Sequence, residues 1–275
     1  MSMKNLVFAA SVAAMCVLPG RASAAPEAHP WSGKKVVYLG DSITTPTQIE
    51  RHKHDVYWKY LQDLYGIEAH VYAVSGYQWD NIYPMTQKMH AEMGDTPDAI
   101  LIFLGTNDFN AGVPLGSWYE VAEEDVVRRG VTIRQPRRRF AKNNGTFRGR
   151  INVEMEYLKR NFPNQQIVIM TPVHRGYANF GGSNVQPPES FPNVLGLYVE
   201  DYVKVLREAA DIWSVPLIDL YRDSGLFPDD PAYARYFRDG GAEGKDNLHP
   251  NGAGHLRLAR TIAARLRALP PGFKE

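Results

Sequence analysis

Five short apolar runs recur along the chain after residue 30, and longer segments with helical spacing of apolar residues separate them. The runs cover residues 36–39, 69–74, 99–104, 167–170 and 215–220. A short, near-continuous apolar run is typical of a strand that is buried on both faces, as in a parallel sheet. The segments between the runs predict helices near residues 55–65, 81–93, 149–161, 196–213 and 252–268.

This alternation of strand and helix predicts an α/β protein with a five-stranded, mainly parallel sheet covered by helices on both faces. Composition agrees, since 275 residues with 44% hydrophobic and 22% charged residues describe an ordinary globular chain. We expect one domain. The formal net charge of +1 gives no general electrostatic case for binding nucleic acid or an anionic membrane surface.

The first residues have the features of a targeting segment. Lys4 supplies a positive charge, residues 6–18 form an apolar run too short to span a bilayer, and residues 22–24 are small. We expect a signal peptide over residues 1–24, cleavage before Ala25 and a domain over residues 25–275, with no stable membrane span afterwards. A retained anchor is one alternative. Lipid attachment through Cys16 is another, less favoured because Met15 precedes it where a small residue is usual.

Cys16 is the single cysteine of the sequence, so cleavage would leave none. The mature chain would then have no thiol catalysis and no structural disulfide. The location we expect is secreted or, in a bacterium, periplasmic.

A candidate nucleophile follows the first apolar run. The sequence Val-Val-Tyr-Leu-Gly-Asp-Ser, ending at Ser42, reads as a buried strand followed by a tight turn. Near the other end of the chain, Asp246 precedes His249 by three residues. Serine needs a general base within about 3 Å, and an imidazole titrates near ~6.5. Asp246 could fix the tautomer of His249 from its other ring nitrogen, as in serine triads.

Two further residues follow apolar runs and could stabilise an oxyanion. Gly76 ends the sequence Ala-Val-Ser-Gly, and Asn107 lies in Leu-Gly-Thr-Asn-Asp. A glycine amide can approach a substrate closely, and an asparagine side chain can donate from a strand end. The backbone amide of Ser42 is the third candidate donor. Alone, each of these residues is as typical of a turn or a helix cap.

Four sequence segments resemble the SGNH branch of the GDSL esterase/lipase family when they are taken together and in their order along the chain. They are the segments that contain Ser42, Gly76, Asn107 and the pair Asp246 and His249. The resemblance implies a flavodoxin-like three-layer α/β/α sandwich and an acyl-enzyme mechanism. It assigns the nucleophile to Ser42, the base to His249, the orienting carboxylate to Asp246 and the oxyanion hole to Ser42, Gly76 and Asn107.

Members of this family act on short acyl esters, lipids, thioesters and acetylated carbohydrates. Expected export favours removal of O-acetyl groups from glycans, with a small-molecule or glycan ester as the substrate. Lipase or lysophospholipase activity and acyl transfer by the same triad remain open, as does a glycan-binding protein without turnover.

Two stretches interrupt the alternation of strand and helix. Residues 109–146 carry an acidic run and a basic run and are too long for a plain connection, so a hairpin or lid and a solvated surface insertion are both open. Residues 171–192 follow the fourth run and could form a wall of the pocket. Candidate substrate contacts are Asp41, Tyr77, Trp79, His174 and Arg175. Tyr77 and Trp79 could instead pack in the core, His174 could be structural or compete as the base, and Arg175 could pair with an acid.

No motif calls for a cofactor or metal. His52 and His54 read as a solvated turn, and His249 with His255 lacks the ordered partners of a zinc site. The sequence has no Walker-type phosphate loop, no dinucleotide fingerprint and no Gly-x-Ser-x-Gly elbow.

Overall fold

A five-stranded, all-parallel sheet lies at the centre of the computed structural model, which describes residues 28–238 and 246–274. The predicted signal peptide lies outside these residues. The strand order is β2-β1-β3-β6-β9. The five strands are β1 (Lys35–Gly40), β2 (Glu68–Ala73), β3 (Ala99–Phe103), β6 (Gln166–Met170) and β9 (Leu217–Ile218).

Eight α-helices and a 3₁₀ turn at Pro231–Tyr236 connect and cover the strands within the described residues. The helices are α1 (Thr47–His52), α2 (Tyr57–Tyr65), α3 (Trp79–Met93), α4 (Thr106–Asn110), α5 (Phe147–Asn161), α6 (Val199–Trp213), α7 (Leu220–Asp223) and α8 (Gly252–Leu266). None of these helices has the length and apolarity to cross a membrane.

The strands carry apolar side chains on both faces, and each face packs against its own helices. Tyr38 and Leu101 point to a core formed with α2 and α8, whereas Leu39 and Ile100 point to a core formed with α3, α5 and α6. Successive side chains of a strand face opposite sides, so each run fills two cores. The predicted three-layer sandwich is therefore confirmed, and its sheet is wholly parallel.

The last strand is shorter than its apolar run. Residues 215–220 predict six strand residues, but β9 contains only Leu217–Ile218. Pro216 has no N–H to give to a sheet ladder. The side chain of Asp219 accepts a hydrogen bond from the Arg222 amide and starts α7. Helix α6 also begins later than predicted, because the side chain of Asn193 accepts from the Leu195 and Leu197 amides and holds a turn before it.

The long insertion contains a β-hairpin of two ten-residue strands, β4 (Tyr119–Arg128) and β5 (Val131–Phe140). Its tip, Arg129-Gly130, has positive φ at both residues, as a two-residue hairpin turn requires. The ring of Phe140 stacks on Trp213 of α6 with centroids 4.3 Å apart. A second, very short hairpin, β7 (Ala178–Asn179) with β8 (Val185–Gln186), follows β6.

Candidate active site

Ser42 lies in a tight turn directly after β1. The amides of Thr44 and Thr45 donate to the carbonyl of Asp41, and the Asp41 carboxylate accepts from the Ile43 amide at 2.9 Å. Gly40 is required before this turn, because a Cβ there would lie 2.4 Å from the Thr44 hydroxyl oxygen. The turn holds the Ser42 hydroxyl at the carboxyl edge of the sheet, where open α/β sheets bind ligands.

Asp246 and His249 are held by a turn before α8. One Asp246 oxygen accepts from the backbone amides of Leu248 and His249, at 3.3 and 3.0 Å. Asn251 then caps α8 by accepting from the amides of Ala253 and Gly254. The three-residue spacing therefore works as the sequence predicts, since the carboxylate folds back onto its own histidine.

The turn after β1 and the turn before α8 meet across the sheet edge. His249 Nε2 lies 2.8 Å from Ser42 Oγ, and His249 Nδ1 lies 2.9 Å from each carboxylate oxygen of Asp246. The three side chains form one continuous hydrogen-bonded chain in the order of a serine triad. All three are largely buried.

Burial and the nearby arginines keep the imidazole of His249 neutral. Burial lowers the pKa of His249, and the nearby Arg238 and Arg175 lower it further, which together outweigh the stabilising Asp246 carboxylate. Burial raises the pKa of Asp246, but the hydrogen bonds from His249 and the charge of Arg238 bring it below its ordinary value. At neutral pH the pair is thus a charged carboxylate and an unprotonated base, as a general base requires.

Asn107 is the second residue of the short helix α4, which follows β3. Its side-chain amide donates to the carbonyl of Tyr77 at 2.9 Å and to the Asp41 carboxylate at 3.3 Å. Gly76 lies beside it with φ of 84°, a left-handed conformation that favours glycine. The loops after β1, β2 and β3 are therefore tied together at the residues predicted to stabilise an oxyanion.

Arg175 was a candidate substrate contact, but its side chain does not reach the surface. It is buried, donates to Thr106 and to the Gln186 side chain, and its charge acts on Asp41. Burial lowers its pKa to about 10, so it stays charged at neutral pH. Burial raises the pKa of Asp41 to about 7, with its backbone hydrogen bonds and Arg175 acting in the opposite direction. Both residues support the site from below and lack the exposure that contact with a substrate needs.

The other predicted contacts lie in different places. Trp79 is fully buried in the core shared with α3, so the packing alternative for it is the one observed. Tyr77 is partly buried on the same core and presents its carbonyl to Asn107. His174 forms a hydrogen bond with Glu189 and stacks on Tyr221, which fits the structural alternative for this histidine rather than that of a competing base.

Sequence reasoning missed a buried ion pair, Asp108 with Arg150, beneath the loop after β3. Asp108 is fully buried, accepts from the Trp79 amide and pairs with Arg150 at 2.9 Å. Arg150 also donates to Gln78, in the loop that follows Gly76. The ion pair and these hydrogen bonds fix the loops after β2 and β3 relative to each other. Asp108 adjoins Asn107, which was a usable signal, but Arg150 lies far away in the chain and gave none.

A cavity of about 310 Å³ opens beside Ser42 and is called the catalytic pocket below. Besides Ser42, Gly76, Asn107, Asp246 and His249, its lining contains residues that the sequence did not single out by name. They are Gln48, Arg51, His52, Ser75, Phe180, Asn184, Gln186, Arg238 and Leu248. Phe180 comes from the segment after β6 and lies edge-on to the His249 ring, with centroids 5.4 Å apart. Residues 171–192 thus supply a wall of the pocket, as predicted.

The long hairpin contributes no residue to this lining among those described. Its base packs on α5 and α6, where Trp118 donates to Glu208 and Asn152 donates to the Ala141 carbonyl. This placement fits the alternative of a surface insertion.

The histidines near the pocket form a stack instead of a solvated turn. The rings of His52, His54 and His255 follow one another, and His255 is fully buried. Over residues 28–238 and 246–274, no group of three or more His, Cys, Asp or Glu side chains is placed to hold a metal ion.

Comparison with solved structures supports the fold. A possible lipase from Chitinophaga pinensis superposes with a TM-score of 0.64 at 17% identity, covering 86% of this chain and 98% of that one. A protein from Lactobacillus plantarum gives 0.63 at 24% identity over 86% and 98%. An acetyl xylan esterase, AlAXEase, gives 0.52 at 18% identity over 84% and 99%. No curated protein sequence matches the chain.

A sequence model of one family matches residues 38–257, a span that runs from the strand before Ser42 to the helix after His249. The match therefore covers every residue of the site described above. The chain belongs to the GDSL-like Lipase/Acylhydrolase family and is a carboxylic ester hydrolase.

Proposed function

We propose that this protein is an exported serine esterase that removes small acyl groups, above all acetyl groups, from carbohydrates. The observation that carries the proposal is the hydrogen-bonded chain from Asp246 through His249 to Ser42, which opens into a pocket lined by both polar and apolar side chains.

In the proposed reaction, Ser42 Oγ attacks the ester carbonyl carbon while His249 Nε2 takes the hydroxyl proton. The amides of Ser42 and Gly76 and the side chain of Asn107 donate to the oxyanion. His249 returns the proton to the leaving alcohol, which leaves an acyl group on Ser42. A water molecule then loses a proton to His249 and attacks the acyl carbon. As the bond from the acyl carbon to Ser42 Oγ breaks, His249 returns this proton to Ser42 Oγ and the carboxylic acid is released.

The lining of the catalytic pocket favours a short acyl chain and a polar alcohol. Its two large apolar side chains among the described residues are Phe180 and Leu248, too few to enclose a long hydrocarbon chain. Polar side chains from several segments face the same space: Gln48, Asn184 and Gln186. The Gln48 side-chain oxygen is buried at this wall and has no partner within the described part of the chain.

Phe180 adds the apolar surface that a sugar ring needs. Its side chain is 43% exposed although its edge contacts His249. A pyranose face packed on this ring would place an acetylated hydroxyl toward Ser42. The AlAXEase neighbour is named as an acetyl xylan esterase, which supports a carbohydrate substrate for this chain.

Export rests on the sequence of residues 1–24 alone. Purification of the protein from the extracellular or periplasmic fraction, followed by N-terminal sequencing, tests it. A chain that begins at Ala25 is the expected result, whereas an intact Met1 in the cytoplasmic fraction would contradict it.

The test of function is turnover of a p-nitrophenyl ester series from acetate to octanoate, together with acetate release from acetylated oligosaccharides. Ser42→Ala should abolish both activities. Ser75→Ala is the matched control, because it removes a serine hydroxyl from the lining of the same pocket and should keep both activities. A preference for octanoate would reassign the enzyme to lipids. Full turnover by a folded Ser42→Ala variant would remove the catalytic assignment.

A further inference from the structure

Most of the charged side chains in the described lining of the catalytic pocket are positive. Among its described residues, the charged side chains are Arg51, Arg238 and Asp246. Burial lowers the pKa of both His52 and His249 and keeps these rings neutral near pH 7, so the positive charge of the described lining comes from the two arginines.

The single carboxylate is already engaged. Asp246 binds His249 through both of its oxygens and lies 3.6 Å from Arg238. Arg238 is nearly buried, with 8% of its side chain exposed, and its charge is partly balanced by this contact.

Arg51 differs from Arg238 in exposure and in partners. It lies in the last turn of α1, is exposed, and faces the pocket beside Gln48. Within residues 28–238 and 246–274 its side chain makes no hydrogen bond and no ion pair. Four residues separate Ser42 from the start of helix α1, so Arg51 is held on the same side of the sheet edge as Ser42.

The catalytic histidine responds to this positive field. Arg238 and Arg175 both lower the pKa of His249, even though Asp246 is in contact with it. Arg238 and Arg51 likewise lower the pKa of His52. A negative group that enters the pocket would therefore be attracted, and an additional positive group would be repelled.

We infer that the substrate is an ester of an acidic sugar, whose carboxylate pairs with Arg51 while its acetylated hydroxyl faces Ser42. The exposed Arg51 guanidinium in the pocket lining is complementary in charge to a carboxylate. A guanidinium can bind a carboxylate through two parallel hydrogen bonds, so it also orients the ring. This inference rests on the proposed function and narrows it to acetylated hexuronic acids.

The test compares two substrates that differ only in charge: an O-acetylated methyl hexuronoside with a free carboxylate, and the same compound as its primary carboxamide. Acetate release is measured at low ionic strength. The wild type should prefer the carboxylate in kcat/KM by at least about tenfold, mainly through KM, and salt should reduce the preference.

Arg51→Gln should reduce this preference to within about threefold, and Arg51→Glu should reverse it. Lys53→Asn is the matched control. It removes an exposed positive charge two residues away, outside the pocket lining, and asparagine tolerates the left-handed conformation with φ of 55° there.

Equal turnover of the two compounds, or a preference that survives in Arg51→Gln, would overturn the inference and leave the proposed function standing. Acetate release from neither compound nor from neutral acetylated sugars, with p-nitrophenyl acetate still cleaved, would overturn both.

Discussion

Replacement of Asn107 by alanine tests how much the proposed oxyanion hole contributes. In the free enzyme both N–H groups of its amide are in use, at 2.9 Å to the Tyr77 carbonyl and 3.3 Å to Asp41. The shorter bond fixes the orientation of the amide. The longer one is the bond that a developing oxyanion would replace or share.

The loss of one preorganised oxyanion donor costs about 2.7–4 kcal/mol of transition-state stabilisation. Because Asn107 gives up a bond to Asp41 when it binds the oxyanion, we expect the lower end of this range. About 2.7 kcal/mol corresponds to a roughly 100-fold lower kcat, since each 1.36 kcal/mol is a factor of ten. KM should change little, because the interaction strengthens only as negative charge develops.

The assay is steady-state hydrolysis of p-nitrophenyl acetate, with thermal unfolding measured in parallel. Asn110→Ala is the matched control, because it removes an exposed asparagine from the same short helix. Asn107→Asp should lose more activity than Asn107→Ala, because a carboxylate would face the oxyanion. A folded Asn107→Ala variant with less than about a fivefold loss in kcat, or with its whole loss in KM, would refute the reasoning.

Three further outcomes follow from the charges and contacts. Arg238→Gln should move the acidic limb of the kcat/KM profile to higher pH, because the charge of Arg238 lowers the pKa of His249; an unmoved limb contradicts this. Burial raises the pKa of Glu154 from 4.5 to about 7, so the free energy of unfolding falls as the pH rises through that window. Glu154→Gln should therefore have a higher free energy of unfolding than the wild type, by on the order of 3 kcal/mol at pH 8 and by much less at pH 5. Denaturant unfolding measures this difference, and an equal difference at both pH values counts against the prediction. Replacement of residues 121–138 by an Asn-Gly turn should leave p-nitrophenyl acetate turnover within about twofold, and a large loss would instead make the hairpin part of the site.

The sequence alone determined the sheet and the order of the site. The first four apolar runs became strands of five or six residues. Successive side chains of a strand point to opposite faces, so a sheet covered by helices on both faces needs apolar side chains on both. Ser42, Gly76 and Asn107 follow the first three runs, and the carboxyl ends of parallel strands meet at one edge. Their convergence was therefore predictable, as was the turn from Asp246 to His249, which is local.

Only the tertiary structure decided which residues surround these site residues. Phe180, Arg51 and Arg238 come from three segments that are distant in the chain, and no periodicity in the sequence predicts that their side chains meet at one pocket. His174 lacked an acidic neighbour in sequence and found one in Glu189, fifteen residues on, through the fold of the segment after β6. Trp79 could have stood in the pocket or the core, and its burial follows from how α3 packs on the sheet. Local spacing fixes residues held by their own backbone, whereas long-range packing alone fixes the walls of a pocket.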